Sequence, residues 1–168
     1  MAYRRFIQGR YGEPAASLCC AFERFSIVGD YRMPTDVSGM SVGTLIEMLA
    51  LPADAIPLDL RIMSEACDSG SAPTFSLKVG YMTGDYLSDA DGRDVPNADF
   101  FSAATIVRSG GTVSTSNIAS LLDSPATVDR AIGIKVVAAP ATIVPGALVR
   151  LVLDCVAKPR GITSVTPS

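Results

Sequence analysis

Short stretches of alternating apolar and polar residues dominate this chain, and they predict strands. From Leu18 to Val28, residues Cys20, Phe22, Arg24, Ser26 and Val28 alternate with Ala21, Glu23, Phe25 and Ile27. That period of two is the signature of a half-buried strand. Gly29, Asp30, Pro34, Asp36 and Gly39 then predict a loop. Residues 41 to 50 fit two readings. Val42, Leu45, Ile46 and Leu49 make a helical stripe, while the short length and Gly43 suit a strand, and Pro52 ends the element either way. Ala55 to Ala66 is a cleaner strand, with Ile56, Leu58, Leu60 and Ile62 on one side and Pro57, Asp59, Arg61 and Met63 on the other. The turn residues Asp68, Ser69, Gly70 and Ser71 follow. Thr74 to Tyr81 then alternates through Phe75, Leu77, Val79 and Tyr81, so Ala55 to Tyr81 reads as a hairpin.

Residues 83 to 99 read as a long acidic loop. Asp99 is placed to cap a short helix through Val107, with Phe100, Phe101, Ala104 and Val107 on one face and Gly110 ending it; a strand is the second reading. Thr112 to Thr115 is a short β-prone piece. Ile132 to Val137 and Leu148 to Cys155 are strong strands separated by a Pro140 to Gly146 turn. In the last strand Val149, Leu151, Leu153 and Cys155 form a face that must lie deep. Seven or so short strands, regularly spaced turns and no βαβ alternation predict a mainly β fold. The expected form is an antiparallel β-sandwich with at most one or two short helices, a jelly roll being one arrangement of it.

Composition adds partners to this picture. The chain has 168 residues, 48% of them apolar and only 18% charged, against about 25% charged in average domains. Either the core is large or apolar surface is left for partners. The longest apolar run, Ile143 to Val156, is broken by Pro145, Arg150 and Asp154. It falls short of the ~20 residues a bilayer-spanning helix needs, so no membrane partner is expected. No uninterrupted apolar segment follows Arg4 and Arg5, which argues against a signal peptide and for folding in a cytoplasm.

The net charge is −3 and the isoelectric point about 4.8, which argues against nucleic acid as a partner. The charge is unevenly spread. Residues 1 to 12 carry Arg4, Arg5 and Arg10 and no acid, and Lys158 and Arg160 follow Ala157. Three parts result: an extended N-terminal arm over residues 1–17, a sandwich domain over 18–157 and a tail over 158–168. The arm mixes Tyr3, Phe6 and Tyr11 with its arginines, a combination typical of protein contact surfaces. Tyr3, Arg4, Arg5, Phe6, Arg10 and Tyr11 are the candidate partner-binding residues.

Candidate chemistry is thin. No histidine occurs, which removes Ser-His-Asp and Cys-His catalysis and most zinc sites. Asp89, Asp91 and Asp94 around Gly92 resemble part of a calcium loop, but the first and twelfth EF-hand positions fall on Leu87 and Ala98, and Arg93 sits inside. Asp59 with Glu65, or Asp85 with Asp89, are nominal acid–base pairs, without a tryptophan platform for sugar. Of the four cysteines, Cys19, Cys20, Cys67 and Cys155, none forms a CxxC pair, so buried free thiols are expected. A Cys20–Cys155 disulfide is left open by spacing. No cofactor, metal or enzymatic activity is expected.

The central stretch LPADAIPLDLRIMSEACDSGSAPTFSLKVG, residues 51–80, resembles a pattern of small virion proteins of tailed double-stranded DNA phages. FFSAATIVRSGGTVS (100–114) and PGALVRLVLDCVA (145–157) are similar to its later segments, so the resemblance covers about residues 20–157. It implies a capsid decoration, or cement, protein: a β-sandwich homotrimer made in the host cytoplasm, sited on the capsid surface, with the major capsid protein as partner. Another virion part, such as a tail, fibre or baseplate adaptor that binds host glycan, is the alternative it leaves.

Overall fold

The structure, a computed structural model, describes residues 24–53, 55–86, 92–115 and 128–157. Among the described residues, eight strands make two four-stranded antiparallel sheets. In chain order they are β1 (Arg24–Arg32), β2 (Leu45–Leu51), β3 (Ala55–Ser64), β4 (Ser76–Asp85), β5 (Phe101–Ala104), β6 (Gly111–Ser114), β7 (Arg130–Ala138) and β8 (Leu148–Ala157). One sheet has the order β1-β8-β3-β6 and the other β2-β7-β4-β5. The pairing has a simple logic: β1 pairs with β8, β2 with β7, β3 with β6 and β4 with β5, all antiparallel. The chain is one long antiparallel ribbon, folded at β4–β5 and wrapped so that β3 meets β8 and β4 meets β7. That arrangement is a jelly roll, and it satisfies the backbone of each central strand on both sides.

The core lies between the sheets. Leu60, Ile62, Leu151, Leu153 and Cys155 face Leu49, Leu51, Leu77, Val79, Ile132 and Ile134, each at most 1% exposed. The deep face expected of β8 is therefore present, since Val149, Leu151, Leu153 and Cys155 are all buried. Residues 41–50 resolve as strand from Leu45, with Met40 closing a short 3-10 turn before it. β7 shows why: Leu45, Ile46, Leu49 and Leu51 all lie in register with it, with an irregularity at Met48.

Several expectations are corrected. β1 does not stop at Val28. It runs through Gly29 and Asp30 to Arg32, because β8 offers an unbroken partner as far as Leu148. Leu18 to Glu23 lies outside the described residues. Ala55 to Tyr81 is not a hairpin: β3 and β4 belong to opposite sheets, and residues 65–75 cross between them. The single alternating face expected of β3 also breaks. A bulge between Pro57 and Asp59 shifts the register, so Ala55 and Pro57, then Leu60 and Ile62, point inward. One extra residue flips the pleat. The expected helix from Asp99 to Val107 divides into strand β5 and a single turn α1 (Ile106–Ser109), ended at Gly110. Asp99 does not cap it, because its carboxylate accepts the Tyr81 N–H at 2.8 Å. The loop expected from residue 83 begins later, since β4 continues to Asp85.

Candidate interaction surfaces

The outer faces of the two sheets differ. On the β2-β7-β4-β5 sheet, residues 92–100 lie across the strands as a strap. Gly80 in β4 sits directly opposite Gly133 in β7; the missing side chain of Gly80 makes room for the strap, and that of Gly133 makes room for Met82. A Cβ at Gly80 would stand 2.3 Å from the Asn97 carbonyl oxygen, and one at Gly133 would meet the Met82 sulfur at 2.5 Å. Val95 of the strap is fully buried. Arg93 pairs with Glu47, both almost wholly buried. Lys135 Nζ donates to Asp94 at 2.7 Å, which holds the Asp94 carboxyl below its ordinary range. Lys78 Nζ donates to the Pro96 carbonyl at 3.2 Å.

Asp94, one acid of the partial calcium-loop pattern, is thereby committed to Lys135, and Asp99, at the end of the acidic loop, to the Tyr81 amide. Residues 87–91, with Asp89 and Asp91, lie outside the described residues. Among the described residues no cluster of three metal-ligating side chains occurs. Asp59 and Glu65 do not converge: six residues along a strand separate them by about 20 Å, far beyond the ~5–9.5 Å of a glycosidase pair. Glu65 accepts the Leu148 N–H at 2.7 Å instead.

The outer face of the β1-β8-β3-β6 sheet carries a ladder of ion pairs. Arg150 reaches its cross-strand neighbour Asp30 through two bonds of 2.6 Å, and this guanidinium keeps the Asp30 carboxyl below its usual range. Asp154 accepts from Ser26 Oγ and from Arg61 at 2.9 Å. Between these charges lie half-buried Val28 and Val152 and exposed Met63. An open depression of about 270 Å³ is lined by Arg24, Phe25, Ser26 and Asp154. Among its described lining residues are one carboxylate, Asp154, and one hydroxyl, Ser26, which donates to it.

At one end of the sandwich a single carboxylate ties two connections together. Asp68 follows β3 and is 4% exposed. Its Oδ1 accepts from the Gly70 and Thr142 amides at 3.2 and 2.9 Å; its Oδ2 accepts from Thr74, Phe75 and Ala141 at 2.8, 3.2 and 3.0 Å. Burial raises its pKa, but the converging N–H groups outweigh burial and drive it far below the carboxylate range. The Asp-Ser-Gly sequence signals the turn; the amides of Ala141 and Thr142 come from far along the chain and leave no local signal.

Cys67 and Cys155 are buried free thiols. Burial pushes Cys155 up to about 12 and also raises Cys67, so neither is poised as a nucleophile. Cys19 and Cys20 lie outside the described residues. So do Tyr3, Arg4, Arg5, Phe6, Arg10 and Tyr11, and the tail after Ala157.

No protein-family model matches the chain, and no curated protein matches it. Solved structures do. A chain in the capsid of Ralstonia phage GP4 superposes with a TM-score of 0.74 at 27% identity, over 86% of this chain and 90% of that one. A chain in the capsid asymmetric unit of cyanophage Pam1 superposes with a TM-score of 0.64 at 20% identity, over 89% and 94%; at that identity the likeness is one of fold. Over nearly its whole length this jelly roll is therefore similar to chains of phage capsids, in keeping with the resemblance carried by residues 51–80, 100–114 and 145–157.

Proposed function

We propose that this chain is a structural component of a phage virion, a decoration or cement protein that binds across neighbouring subunits of the major capsid protein and stabilises the mature shell. The match to the GP4 capsid chain carries this reading, because it covers 86% of this chain and 90% of that one. The likeness is to a whole capsid component rather than to a module grafted onto an enzyme. The described surface supports it: carboxylates are committed to arginine, lysine or backbone N–H groups, and the two described thiols are buried.

The work of such a protein is mechanical, with no cofactor and no catalytic group. A ligand whose site exists only where coat subunits meet stabilises the assembled state by linkage. Many symmetry-related copies, each a homotrimer, add avidity. The arm over residues 1–17 reaches an adjacent subunit, where Arg4, Arg5 and Arg10 pair with acidic coat residues and Tyr3, Phe6 and Tyr11 fill apolar pockets.

The test uses the purified full chain and coat shells assembled without it. The chain is expected to behave as a trimer, to saturate sites on the shells and to raise the temperature at which they disrupt. Deleting residues 1–12 should weaken that binding. A monomer indifferent to shells would overturn the reading, and clear hits on a glycan array would favour a tail or fibre adaptor instead.

A further inference from the structure

The two outer faces of the sandwich differ in cover and in charge. The strap lies across the β2-β7-β4-β5 sheet, over Gly80. On the β1-β8-β3-β6 sheet the strand side chains themselves reach solvent. Those of Asp30, Arg61 and Arg150 are 39–40% exposed. Met63 stands opposite Arg150, and Arg150 opposite Asp30, so the three share one side of the pleat. Val28 and Val152, also opposed, lie one row away. Apolar residues set within a frame of charges are the layout of a protein contact surface.

The charges on this face are grouped. Asp30 is bonded to Arg150 and also feels the charge of Arg32. Arg61 lies between Asp59 and Asp154, and Arg24 borders the face beside Asp154. Four arginines against three aspartates leave it at +1. The chain on both sides of the domain starts from one end of the same sheet, since Arg24 opposes Val156. Residues 1–23 and 158–168 hold Arg4, Arg5, Arg10, Lys158 and Arg160 against Glu13 and Glu23, which is +3. The whole chain is −3, so everything else carries −7. A negatively charged partner attracts the first group and repels the second.

We propose that the outer face of the β1-β8-β3-β6 sheet is the docking surface of the domain, and that its occupant is an acidic surface of the neighbouring coat subunit. The placement rests on the reading of the chain as a capsid decoration protein, and it adds an orientation: this sheet lies against the coat, and the strap side faces away. Val28, Val152 and Met63 supply the apolar part of the contact. Arg150 spends two N–H donors on Asp30, and a guanidinium has five. It can therefore meet a carboxylate of the partner without giving up its own.

The test sets matched substitutions on the two sides against each other. Met63 and Val137 are equally open, at 40% and 43%. Val137 lies on the outer side of the other sheet, since its neighbour Val136 is buried. Met63→Glu puts a like charge against the coat and should weaken binding of the full chain to coat shells about tenfold. Val137→Glu should leave binding within about twofold of the wild type. Arg24→Glu with Arg32→Glu takes the face from +1 to −3, and should weaken binding about tenfold and flatten its dependence on salt. If Met63→Glu fails to fold, hydroxyl-radical footprinting of the wild type decides: Met63 should be shielded from oxidation in the shell-bound chain. Equal binding by Met63→Glu and wild type, loss of binding in Val137→Glu instead, or equal oxidation of Met63 free and bound would overturn the orientation and leave the decoration reading standing. A wild type that binds no shell would overturn that reading, and the orientation with it.

Discussion

Replacing Asp68 by asparagine changes no volume and removes one charge and one acceptor oxygen. The five amides that converge on Asp68 come from two connections, residues 70–75 and 141–142. An asparagine has a single oxygen. Its better orientation serves the Thr74, Phe75 and Ala141 donors and sets its own NH₂ against the amides of Gly70 and Thr142. Two bonds become donor–donor contacts, and the other three lose their charge assistance. A hydrogen bond to a charged group contributes about 1.5–3 kcal/mol. Ala141 and Thr142 are exposed, so water recovers part of the loss, and the net cost is about 3 kcal/mol. For a domain of this size that lowers Tm by about 6–12 °C.

The pH dependence has a definite sign. The folded pKa of Asp68 is depressed below its unfolded value of about 3.9. Its contribution is complete well above pH ~4 and drains away as the pH falls, because the unfolded chain binds a proton that the folded carboxylate refuses. Asp68→Asn lacks this term, so the stability gap should narrow in acid. Urea unfolding followed by circular dichroism at neutral and acid pH measures this, the chain having no tryptophan to report by fluorescence. Equal stability at neutral pH, with parallel pH curves, would refute the reasoning.

The strap offers two further tests. Gly80→Val places side-chain atoms where the Asn97 carbonyl and Val95 now lie; it should cost about 2–3 kcal/mol and open residues 92–100 to limited proteolysis. Arg93→Ala removes one partner of the buried Arg93–Glu47 pair and should cost about 3–5 kcal/mol in urea unfolding, whereas Arg93→Met with Glu47→Leu should recover most of it. In the core, Leu153→Ala should cost about 3 kcal/mol, since its site is closed on every side by other buried residues. Cys67 and Cys155 should resist alkylation in the native protein and react on unfolding, as peptide mass mapping of the two sites would show.

The alternating segments told much of the strand content by themselves. Leu60 and Ile62, or Val149 to Cys155, can bury one face only if the backbone is extended. The sandwich class followed, because such faces must meet one another. The lack of histidine likewise removed most reactive centres before any fold was known. Partnership was beyond the sequence. Leu60 on β3 and Leu77 on β4 read as neighbours in a hairpin, yet β3 lies between β8 and β6, and β4 between β7 and β5. Any alternating strand fits any other in isolation, and the wrapping of the whole ribbon chooses among them. The same wrapping brought Thr142 to Asp68, laid the strap over Gly80, and left β1 at an edge. Each of these depends on residues far apart in the chain, whose meeting no local pattern encodes.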